Sequence, residues 1–143
     1  MNLGLFKAVS IQTLTHELSK IETGYSSPCS IRHLKFNVLT ENTGGDRALM
    51  NEILETFREA TLNDIQAAEK AVLQDEPQLF LRALHRLHGS AQILGITALQ
   101  NLCEPFESRR HDDLPLAVRQ EALQKIIAVM REIEIEIDSL ISH

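Results

Sequence analysis

Tryptophan is absent from this sequence, and aromatic residues make up only 4% of it. A hydrophobic core must therefore be built mainly from aliphatic side chains. Cysteine is scarce as well. Cys29 and Cys103 are too few for a disulfide framework or a zinc knuckle, and such usage suits a reducing compartment. No run of about 18 apolar residues occurs, so hydropathy gives no transmembrane span. The N-terminus carries Lys7 but no apolar stretch long enough for a secretion signal. Excess positive charge is missing too, and a net charge of −6 argues against nucleic acid as the partner. A local basic patch can still coexist with an acidic total. These absences lead us to expect a cytoplasmic chain, or the cytoplasmic piece of something larger, with no direct membrane contact.

What is present is ordinary for a globular protein. Hydrophobic residues are 43% and charged residues 24% of 143, enough for one domain with a working core. Residues 1–45 differ from the rest, holding Gly24, Pro28, Gly44, Gly45 and much of the Ser and Thr. Ile11, Leu14, Leu18 and Ile21 stand at the spacing of a short amphipathic helix, while residues 32–40 read as extended or irregular. We treat 1–45 as a linker or docking arm and 46–143 as the folded body.

From Asp46 onward the periodicity is helical. Asp46 is placed to cap a helix through Leu49, Ile53, Leu54 and Phe57. Thr61 marks a second start or a kink, followed by the stripe Leu62, Ile65, Ala68 and Val72. Pro77 opens the next helix. Its seam is Phe80, Leu84, Leu87, Ala91 and Leu94, and Gly95 ends it. Thr97 and Gln100 have the spacing of a capping box before Leu99, Leu102, Cys103 and Phe106, with Pro105 expected to disturb the second half of that helix. Residues 109–113 read as a polar loop. Pro115 starts a last helix with the seam Ile126, Met130, Ile133, Ile137 and Leu140. Glu132, Glu134 and Glu136 alternate with apolar residues and are most simply surface charge. The expected fold is all-α, an antiparallel four-helix bundle with an extra N-terminal segment.

One stretch carries chemistry. At about 100° of rotation per residue, His85 falls at the border of the seam that contains Leu84, half exposed. Arg82, Arg86 and Gly89 lie around it at i−3, i+1 and i+4. Gly89 weakens the helix by about 1 kcal/mol relative to alanine, which suggests that another surface must come close. A reachable imidazole, positive charge for an incoming phosphate and a gap in the helix surface together suit phosphoryl transfer through a histidine nitrogen. The turn after this helix centres on Ile96. His85 lies 11 residues before it and Glu107 11 after it, so an antiparallel hairpin sets Glu107 opposite His85. A carboxylate there would accept a hydrogen bond from one ring nitrogen, fix the tautomer and leave the other nitrogen free to attack.

The run His85-Arg86-Leu87-His88-Gly89-Ser90-Ala91, with Leu94-Gly95, Leu99, Leu102-Cys103 and Phe106-Glu107, resembles the histidine-containing phosphotransfer (HPt) domain of multistep bacterial phosphorelays. The resemblance covers about residues 46–140. It implies that His85 is phosphorylated, that Glu107 orients it, and that a response-regulator receiver domain packs closely over Gly89. It also implies a module that ends a hybrid sensor kinase after a receiver domain, without ATP-dependent kinase activity of its own. No cofactor is expected in the chain, since Mg2+ would belong to the partner receiver. The motif departs at His88, where the family usually carries lysine. A histidine supports a phosphoryl group with charge only when protonated, and Arg82 or Arg86 would have to compensate.

Two rivals belong to other classes. His85 and His88 with Cys103 or Glu107 would offer ligands to a metal ion, although ferritin-like sites need paired Glu-x-x-His motifs that are lacking here. A plain adaptor would bind partner helices and ignore loss of His85. Glu107 read structurally is a solvated helix residue, and Arg109-Arg110-His111 a solvated loop.

Overall fold

The computed structural model describes residues 31–109 and 114–141. They form α1 (Phe36–Thr43), α2 (Arg47–Leu73), α3 (Pro77–Leu94), α4 (Thr97–Cys103) with a single 3₁₀ turn at Glu104–Phe106, and α5 (Leu116–Ile141). Among the described residues there is no strand. Helix α2 packs on α3, α3 on α4, α4 on α5 and α5 on α2, while α1 lies against α2. The result is the expected all-α four-helix bundle. The amphipathic pattern of Ile11 to Ile21, Cys29 and the loop residues 110–113 lie outside the described residues.

The seam positions explain the ring. Phe80, Leu84, Leu87, Ala91 and Leu94 are each no more than 2% exposed, and Ile65, Leu99, Ile126, Met130, Ile133 and Ile137 are fully buried. Each burial of a large aliphatic side chain is worth about 1.5–3 kcal/mol. The connections set the antiparallel order. Asp46 caps α2 by accepting from Leu49 N at 3.2 Å, and Pro77 occupies the first turn of α3, where its missing N–H leaves no hydrogen bond unmade. Gly95 ends α3 at φ 66° with Val38 3.5 Å from where a Cβ would stand. A left-handed residue is needed there and glycine supplies it without strain. Arg119, buried on α5, donates to Asp75 Oδ1 at 2.8 Å and to Leu114 O at 3.2 Å. That pair ties the α2–α3 turn to the start of α5.

Several expectations need correction. Residues 31–45 are not separate from the body: Leu34 and Leu39 are buried in the same core as the bundle helices, and residues 36–43 are helical rather than irregular. Glu136 adds a polar hold on the segment. It is 4% exposed and accepts from the backbone N–H groups of His33, at 3.0 and 3.1 Å, and Leu34, at 2.9 Å. Glu132 adds a contact of 2.7 Å to His33 Nε2. Glu134 and Glu136 are therefore buried rather than surface charge. Helix α2 runs unbroken through Thr61, whose hydroxyl donates back to Phe57 O at 2.8 Å. Thr97 is the first helical residue of α4, not its cap. The expected capping box is replaced by a contact of Lys35 Nζ to Thr97 Oγ1 at 3.2 Å.

Candidate phosphotransfer site

Helix α3 presents His85, Arg82 and Arg86 toward a shallow open cleft of about 420 Å³. Gln78, Leu81, Phe106, Glu107 and Arg109 complete its lining. The imidazole of His85 is 75% exposed and the carboxylate of Glu107 30%. His85 thus lies on the solvent side of a helix whose neighbouring positions Leu84 and Leu87 are sealed in the core. This exposure leaves the outer ring nitrogen open to a reactant.

Glu107 reaches the site through a break in α4. The helix stops at Cys103, Pro105 sits in the 3₁₀ turn, and Glu107 N donates to Glu104 O at 3.0 Å. Proline offers no N–H to continue the α-helical ladder, so the chain tightens to i→i+3 bonds at this point. Phe106 anchors the turn by meeting Phe80 edge to face, with ring centroids 5.9 Å apart and planes at 77°. With the turn pinned to α3, Glu107 Oε2 stands 2.8 Å from His85 Nδ1. Two lone pairs would repel at that distance, so Nδ1 carries the proton and donates. In the neutral ring, Nε2 then holds the lone pair.

The same carboxylate has a second neighbour. Glu107 Oε1 lies 2.8 Å from Nδ1 of His88, whose side chain is only 15% exposed. His88 therefore faces the carboxylate on the bundle side of the site and does not reach into the open cleft. Arg86 is engaged as well, its Nε donating to Asp64 Oδ1 on α2 at 2.8 Å. Arg82 is exposed on the cleft wall. Gly89 has nothing within 4 Å of where a Cβ would be built. Among the described residues no element packs against it, so the glycine does not serve packing between the described helices.

Sequence reasoning missed two participants. Arg109 is exposed and outside the helices, as expected of a solvated loop, yet it borders the site. Its guanidinium lies 5.7 Å from the Phe106 ring centroid and lines the cleft with His85. Asp64 became visible only once the register of α2 against α3 was known. The metal reading finds no ligand set among the described residues, where no group of three or more His, Cys, Asp and Glu side chains is arranged to hold an ion. Cys103, one of its proposed ligands, is buried, and burial with the nearby Glu107 charge pushes its thiol up to about 12.

Comparison with known proteins agrees with this geometry. The Hpt domain family profile matches residues 52–142. The chain belongs to the Hpt domain family. The activity of that family is histidine phosphotransfer in two-component phosphorelays. Over 107 residues, 75% of the chain, it is 36% identical to the sensor protein EvgS of Escherichia coli strain K12, and equally to EvgS of Escherichia coli O157:H7. The match spans 9% of the length of those relatives. The crystal structure of the HPT domain from a sensor hybrid histidine kinase of Shewanella superposes with a TM-score of 0.63 at 18% identity, covering 76% of this chain and 93% of that one. At that identity the likeness concerns the fold. Hpt domains of hybrid kinases work with receiver domains. Among the described residues no helix is long and apolar enough to cross a membrane.

Proposed function

We propose that His85 carries the phosphoryl group, taking it from the aspartyl-phosphate of one receiver domain and giving it to the aspartate of another. The observation that supports this most directly is the pairing of an imidazole 75% exposed with a carboxylate 2.8 Å from its inner nitrogen. The Nε2 lone pair attacks phosphorus, the N–P bond forms, and the P–O bond to the receiver's aspartate breaks as that carboxylate leaves. Positive charge develops on the ring while its Nδ1–H stays in place. The Glu107 carboxylate lies where that charge appears and is fixed before the reaction starts. The second transfer runs the same steps in reverse.

Arg82 and Arg86 line the cleft in which the phosphoryl oxygens would lie. Asp64 holds Arg86 by Nε alone in the hydrogen-bond pattern, so its terminal nitrogens point elsewhere on the guanidinium fork. Mg2+ and a lysine of the partner receiver supply further charge. The receiver approaches over Gly89, where a smooth helix surface admits another backbone. We assign the chain to the cytoplasmic side of a hybrid sensor kinase, as a module without ATP-dependent kinase activity of its own.

Incubation with a radiolabelled phospho-receiver, beside the His85→Gln variant, tests this reading. Acid-labile, base-stable label on the native chain alone is expected. Equal labelling of a folded His85→Gln chain would sink it. A native chain that accepts no label from a panel of receivers would favour the non-phosphorylated adaptor.

A further inference from the structure

His88 departs from the lysine usual in the family, and the geometry gives it a different task. We infer that His88 is a positioning residue that acts on His85 through Glu107. This rests on the reading of His85 as the phosphoryl carrier. One carboxylate serves two imidazoles: Oε2 faces His85 Nδ1 and Oε1 faces His88 Nδ1, each at 2.8 Å. The two rings differ sharply in setting, with His85 75% and His88 15% exposed. A ring held that far inside the surface offers little to a phosphoryl group arriving at the outer nitrogen of His85. It is instead well placed to hold a carboxylate that enters from a separate element.

Glu107 needs such a hold. It follows a 3₁₀ turn rather than sitting in a helix, and its side chain retains several rotatable bonds. Alone, a hydrogen bond to an exposed imidazole competes with water. A second ring nitrogen in ion-pair contact with the other oxygen, at 2.8 Å, restricts the rotation of the carboxylate plane, so that Oε2 stays directed at His85. The tautomer of His85 then depends on a residue that never touches the transferred group. A flexible lysine at this position would carry a fixed charge outward; the histidine gives up that charge for orientation of the carboxylate.

The test reads the tautomer directly. Long-range proton–nitrogen NMR on the full chain with ring-15N histidine distinguishes Nδ1–H from Nε2–H at His85. The wild type, His88→Phe and His88→Asn variants are compared at one fixed pH, with phosphotransfer rates from a phospho-receiver measured alongside. Asparagine places an amide N–H as many bonds from the backbone as histidine Nδ1, whereas phenylalanine keeps the ring and loses the donor. Outer partners that orient a functional imidazole in metal sites are worth roughly 10- to 100-fold. We expect His85 in the Nδ1–H form in the wild type. In His88→Phe we expect a shift toward Nε2–H and a transfer rate lower by at least about 10-fold, with both restored in His88→Asn. Unchanged His85 nitrogen shifts in His88→Phe would overturn the inference. So would a disturbed tautomer that His88→Asn fails to restore, because the donor would then not be the cause. If the tautomer responds as expected while phosphoryl label never appears on His85, the carrier assignment fails and the positioning contact stands.

Discussion

Phe106 meets the buried ring of Phe80 edge to face, and this contact fastens the element that carries Glu107 onto the helix that carries His85. The two rings sit on opposite sides of the α3–α4 hairpin, so the packing and the chemistry share one register. In a chain so poor in aromatic residues, this pair is a local reinforcement rather than part of a general aromatic core.

Replacing Phe106 by alanine should therefore affect stability and transfer together. Full burial would make the loss about 3–5 kcal/mol, but Phe106 is only partly buried, and about 2 kcal/mol is expected. Urea unfolding measures that. Transfer from a phospho-receiver should fall in the folded fraction as well, because Glu107 loses its anchor. Phe106→Leu should recover much of the stability and less of the transfer.

Gly89 separates stability from recognition. Nothing stands within 4 Å of a Cβ built there, and the residue lies inside α3. Gly89→Ala should therefore stabilise the chain by about 0.5–1 kcal/mol, through helix propensity alone. A longer side chain, as in Gly89→Gln, should leave the fold intact and slow transfer from the receiver by obstructing its approach. Thermal unfolding and transfer rates on the two variants check this. Unimpaired transfer in Gly89→Gln would place the docking surface elsewhere.

The predictions rest on features that the sequence revealed to different degrees. The seams of α3 and α5 were legible because a buried helix face repeats every three or four residues. The pairing of His85 with Glu107 was legible because a short turn makes a hairpin nearly symmetric about its centre. The placement of Glu134, Glu136 and residues 31–45 was not. Alternating Glu and Ile in α5 looks like a solvated face until the segment before α1 folds over it and gives Glu136 backbone N–H groups to bind. The setting of His88 was no more legible. Position on the helix showed that it borders the seam, but only the path of the chain after Pro105 decides that a carboxylate meets it there.

That clasp between α5 and the N-terminal segment is itself testable. Glu136 accepts from two consecutive backbone N–H groups, of His33 and Leu34, in a buried setting. Glu136→Ala leaves both donors without their acceptor, and each unmet buried group costs about 1–3 kcal/mol. A loss of about 2–3 kcal/mol is expected, together with faster amide hydrogen exchange at His33 and Leu34. Glu136→Gln keeps one accepting oxygen and should lose less. A chain beginning at residue 46 should be destabilised further, since it also lacks Leu34 and Leu39 from the core.

Cys103 predicts the behaviour of the folded state at high pH. Its thiol is pushed up to about 12, first by burial and then by the negative charge of Glu107. At pH 8 Cys103 should therefore react with iodoacetamide far more slowly in the native Cys29→Ser chain than in the same chain unfolded in urea, because the thiolate is the reacting form. The same shift gives stability a pH dependence of definite sign. An unfolded cysteine releases its proton near about pH 8.5, while the folded one retains it to about 12. Between those values the folded chain binds more protons, so stability falls as pH rises. Below about pH 8.5 the contribution is fully present. Urea unfolding at a series of alkaline pH values should show a steeper decline for the wild type than for Cys103→Ala, and parallel declines would mean that the thiol ionises in the folded state as readily as in the unfolded one.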